Sequence, residues 1–75
     1  MFDYSKLRGR IIEKFGTLGK FARAVDRSQT SLSMILNGER YLKQDEIDKW
    51  AETLSIPPTE IGGFFYAKRV HEMEP

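Results

Sequence analysis

Gln29, Thr30, Ser33 and Asn37 put amide and hydroxyl groups on one side of a short segment whose other side carries Leu32, Ile35 and Leu36. On a helix this spacing separates an apolar stripe from a polar face made of small side chains. A Gln carboxamide can pair with both N6 and N7 of adenine, and Ser and Thr hydroxyls give or accept at any base. The methyl of Thr, or a Met side chain, can meet the methyl of thymine. The chemistry these residues fit is therefore contact with base edges in a major groove, with A·T pairs favoured. Gln, Thr and Ser also serve simply to solvate an exposed helix, so the reading depends on how the segment is held.

The preceding residues hold it at an angle. Thr17 is placed as an N-cap, and Leu18, Phe21, Ala22 and Val25 follow at i, i+3, i+4 and i+7, one inward stripe of a helix. Asp26, Arg27 and Ser28 then favour a turn, with Ser28 positioned to cap the second helix. Asn37-Gly38 closes that helix, Gly38 supplying the left-handed residue after its end. Ala22 leaves only a methyl group where two steeply crossed helices approach. Residues 17–38 thus read as a helix-turn-helix that offers its second helix to a duplex.

Around this pair the spacing predicts an all-α chain of five helices in one domain spanning residues 1–75 and reading as complete from Met1. The first covers residues 4–15, capped by Asp3, with Tyr4, Leu7, Ile11 and Phe15 inward and Gly16 as its stop. Residues 39–43 form a loop. The fourth helix runs to Leu54, with Ile47, Trp50, Ala51 and Leu54 inward, Asp45 and Glu46 suited to its first turn, and Lys43 a poor cap. Pro57-Pro58 opens a short fifth helix that Gly62-Gly63 ends or loosens. Residues 64–70 fit a strand or a continuation of the helix, and periodicity does not choose between them.

The formal charge of +1 hides an asymmetry: residues 1–43 hold nine bases against four acids, residues 44–75 three bases against seven acids. The basic half, which approaches a polyanion, is also the half with the polar helix. There is no cysteine, so disulfides and thiolate metal sites are excluded, and no secretory or membrane-spanning apolar run is present. A soluble, cytoplasmic protein is expected. An enzyme is not: His71, the one histidine, has no Ser, Cys or acid at a motif spacing, and Asp45, Glu46, Asp48 and Glu52 splay around a helix. Trp50 at helical spacing is a core residue. No cofactor, metal or small-molecule substrate is expected.

A small residue in the first helix of the pair, a polar turn, a Q-T-S-L-S helix and then N-G together resemble the phage repressor and Cro family of helix-turn-helix proteins. The opening MFDYSKLRGRIIEKFGT and the stretch IPPTEIGGFF further resemble small Cro-like regulators encoded by phages and prophages. The resemblance covers roughly residues 4–65. It implies a compact repressor-like domain in a bacterial host, with Gln29, Thr30, Ser33 and Met34 at the bases and Ser28 at a phosphate or a base. Two positions depart from the family pattern: Leu18 replaces a bracing Gln, and Leu36 replaces an acid.

Phosphate clamping is expected from Thr17 with the amides of Leu18 and Gly19, from Lys20, and from Arg40 and Lys43 in the loop. Because one such domain reads only a few base pairs, a homodimer on a palindromic double-stranded operator is expected. Its seam is expected at the C-terminal apolar residues Phe64, Phe65, Tyr66 and Val70, which exceed what a short tail needs, the alternative for Phe64 or Phe65 being that the ring completes the chain's own core. The rival reading, of a different class, is a protein-interaction module on the same fold, antitoxin-like or antirepressor-like, that docks a protein partner.

Overall fold

The computed structural model describes residues 2–67. Five α-helices follow in order: α1 (Ser5–Phe15), α2 (Leu18–Ala24), α3 (Gln29–Leu36), α4 (Gln44–Thr53) and α5 (Ile61–Phe65), the last preceded by a 3₁₀ turn, Pro58–Glu60. The described residues contain no strand; Phe2 alone makes an isolated bridge. α2 packs between α1 and α3, and α5 returns to α1. The Asp3 amide donates to the Ala67 carbonyl at 2.6 Å, joining the two ends of the described chain.

The inward stripes converge as their spacing predicts. Leu7, Ile11, Phe21, Leu32, Ile35, Trp50, Leu54 and Phe65 are all nearly inaccessible to solvent. Phe21 sits at the centre, edge-on to Trp50 at 5.1 Å and to Phe15 at 5.3 Å between ring centroids. Ala22, 2% exposed, lies where α2 meets its neighbours. Leu36 belongs to this core, which explains an apolar residue at its position.

The helix ends follow local rules. Thr17 Oγ1 accepts from the Lys20 amide at 3.2 Å and Ser28 Oγ from the Ser31 amide at 3.1 Å, so both predicted caps form. At the end of α3 the Gly38 amide donates to Ile35 and the Glu39 amide to Met34, with Gly38 at φ 81°, a Schellman closure. α2 and α4 close by the same pair of bonds, but there the left-handed residues are Asp26 (φ 58°) and Ser55 (φ 56°).

Three expectations are corrected. α1 begins at Ser5, with Tyr4 as its cap residue; Asp3 Oδ1 still accepts from the Ser5 amide at 2.9 Å, one position displaced. α5 runs through Gly62-Gly63 to Phe65, because burying Phe64 and Phe65 outweighs the helix-weakening of the glycines. The third correction concerns the proposed seam. Phe64 and Phe65 are 3% and 1% exposed, so both rings complete the chain's own core. Phe64 is further covered by the cations of Lys6, 4.6 Å from the ring centroid, and Arg10, 5.3 Å away. Val70 lies outside the described residues.

Candidate nucleic-acid interface

α3 turns Leu32, Ile35 and Leu36 into the core, and this leaves Gln29, Thr30 and Asn37 exposed, with Ser33 and Met34 half-buried beside them. Gln29 and Thr30 both remain exposed in the fold. Of the residues expected at bases, these two are free to extend; Ser33 and Met34 offer part of their surface. Asn37 Oδ1 lies 3.4 Å from Arg8 Nη2, which ties the end of α3 to α1.

Behind Gln29 lies Gly19 of α2. A Cβ placed on Gly19 would meet Gln29 Oε1 at 3.2 Å and its Cδ at 3.8 Å. The glutamine carboxamide therefore lies over the first turn of α2, in space that the absent side chain leaves. The same turn holds the Leu18 and Gly19 amides expected at a phosphate.

The residues expected at phosphates divide into two groups. Lys20, Arg40 and Lys43 are exposed, the last two in the loop that follows α3, and Lys43 stands at the start of α4 without a side-chain cap bond. Thr17 and Ser28 are exposed but spend their hydroxyls on the α2 and α3 caps. Leu18 packs its side chain against the core, so only its backbone amide faces outward chemistry.

Two features escaped sequence reasoning. Arg27, one of the nine bases of residues 1–43, is held by its own fold: Nη1 donates to Ser31 Oγ at 2.6 Å and Nη2 pairs with Glu46 of α4. Nothing in the local sequence links positions 27 and 46. Tyr41 is 94% exposed in the loop between Arg40 and Leu42. Its signal was visible: a lone aromatic in a charged loop, outside any apolar stripe. Tyr66, the one described member of the proposed seam that reaches solvent, is 42% exposed, stacks edge-on to Phe2 at 5.6 Å and donates to Gln44 Oε1 at 3.1 Å.

Residues 1–68 match a family model described as "Protein of unknown function (DUF739)". The chain belongs to the DUF739 family. Among solved structures, this DUF739 chain is similar to the modulator of repression (MOR) of the temperate bacteriophage TP901-1 from Lactococcus lactis, determined in solution. The two are 40% identical, with a TM-score of 0.76, over 87% of this chain and 88% of that one. No curated protein matches the chain. Among the described residues no helix is long and apolar enough to cross a membrane, and no group of His, Cys, Asp and Glu is arranged to hold a metal.

Proposed function

We propose that this DUF739 chain is a small phage or prophage regulator of transcription that binds double-stranded DNA. α3 enters the major groove, Gln29 and Thr30 meet base edges with Ser33 and Met34 beside them, and Lys20, Arg40 and Lys43 contact phosphates. The observation that carries this reading is the exposure of Gln29 and Thr30 on a helix whose opposite side is core, followed directly by a loop with two exposed cations. The likeness to a protein named a modulator of repression supports a regulatory role. Work at an operator implies a homodimer, two half-sites about one helical turn apart, and residence in the bacterial cytoplasm.

The decisive experiment is selection of bound duplexes from a random pool at low salt, followed by mobility-shift titration of the winners. Recovery of a symmetric, A·T-containing site supports the reading. Failure to shift any duplex at low salt overturns it.

A second reading has its own observation. Tyr41, almost wholly exposed beside Arg40, pairs two of the residue types enriched at the anchors of protein interfaces. On this reading the chain modulates repression by docking a protein partner with the loop and α3. Tyr41→Ala, which removes no core contact, then abolishes partner binding while leaving DNA affinity unchanged.

A further inference from the structure

We propose that Arg27 and Glu46 form a clamp that fixes the direction in which α3 leaves the protein, so that Arg27 is a positioning residue for base readout and not a phosphate contact. The part concerning DNA rests on the function proposed above; the clamp itself does not.

Arg27 touches three helices at once. Its amide donates to the Ala22 carbonyl of α2 at 2.8 Å, its Nη1 to Ser31 Oγ in the first turn of α3 at 2.6 Å, and its Nη2 pairs with Glu46 of α4. The two side chains are only 23% and 24% exposed. Ser31 in turn donates its amide to the Ser28 cap at 3.1 Å, so the guanidinium grips the capped turn from which Gln29 and Thr30 project.

The energetics favour a geometric role. Covering two charges costs desolvation that their attraction repays only in part, and apolar side chains of similar volume often stabilise as well or better. Here Arg27 Nε is buried with no hydrogen-bond partner, a further cost. What the pair supplies that apolar contact lacks is direction: a planar fork with fixed donors admits one orientation of Ser31 relative to Glu46. The link also joins the basic half of the chain to the acidic α4, and it neutralises a cation that would otherwise pull toward phosphate.

The test uses the full chain and the double variant R27M/E46L, which removes the fork while keeping apolar bulk. The expected protein melts at or above the wild-type temperature and keeps the slow amide exchange of Ile11 and Trp50, while the Ser31 and Leu32 amides, bonded to Ser28, lose exchange protection and residues 28–32 lose backbone order by NMR. Its ratio of specific to non-specific DNA affinity falls by roughly tenfold, the scale of one misread base pair, and its salt slope does not change. Residues 28–32 as ordered as in the wild type overturn the clamp. So does a salt slope reduced by about one, the mark of a lost phosphate contact. R27K, which keeps the charge without the fork, is the companion should the double variant not fold: lost order confined to residues 28–32 supports the clamp, and retained order overturns it. A wild-type chain that binds no DNA sinks the functional reading alone, since the NMR comparison still judges the clamp.

Discussion

Gln29 is exposed to solvent, and its carboxamide lies beside the space that a side chain on Gly19 would fill. Replacing Gln29 by Ala is expected to relax base preference at one position of the half-site, at about 1–3 kcal/mol of discrimination, measured by competition between selected and mutated duplexes. Gly19→Ala places a methyl 3.2 Å from Gln29 Oε1 and so displaces the carboxamide. It should shift base preference at that same position with a change in stability below about 1 kcal/mol, since helix propensity offsets the crowding. Tyr4 illustrates a different property of a single residue. Burial, and secondarily the nearby Tyr66, raises its pKa above the ordinary tyrosine value of about 10. The folded state therefore keeps this proton longer than the unfolded one, and its contribution to stability is full below the unfolded pKa and lost as pH rises through the folded pKa. Thermal melts above about pH 10 should show a steeper alkaline decline for the wild type than for Tyr4→Phe.

At the scale of elements, α2, α3 and α4 all close with the same two backbone bonds, yet only α3 places glycine at the left-handed position. Ser55 at φ 56° bears the steric cost of that conformation, of order 1–2 kcal/mol, which glycine avoids at some cost in chain entropy. Ser55→Gly is therefore expected to stabilise the fold by about 0.5–1 kcal/mol, read as a raised midpoint in urea at constant slope. Asp26 is the same motif at the turn between α2 and α3, where a change also touches the Arg27 backbone. α5 shows element and core in competition: two glycines weaken the helix, and two buried phenylalanines hold it.

For the whole molecule, charge and surface decide the expected behaviour. Lys20, Arg40 and Lys43 are exposed, whereas Arg27 is paired and Arg8 is engaged by Asn37. With about three to five phosphates neutralised per subunit, affinity for duplex DNA should fall by roughly 0.9 log units per phosphate for each log unit of salt. Filter binding across a salt series checks this, and a flat response removes the phosphate clamp. Because Phe64 and Phe65 fill the core, a homodimer has to use other surface, and Tyr66 with Phe2 is the aromatic pair that remains accessible. Sedimentation of Tyr66→Ala against wild type tests that surface without opening the core.

How much was legible follows from the range of each interaction. Caps, Schellman glycine, apolar stripes and the polar face of α3 were readable from the chain because each depends on residues within about one or two turns. The Thr17 and Ser28 caps, the stripe Leu32, Ile35 and Leu36, and the all-helical class all needed only local spacing. The fate of Phe64 and Phe65, the perch of Gln29 on Gly19 and the pairing of Arg27 with Glu46 did not. These join positions 10 to 58 residues apart, and an apolar or charged residue looks the same in sequence whether it meets its own core, a partner or water. Only the folded chain, by fixing which surfaces are already occupied, separates the side chains left for a partner from those the protein uses itself.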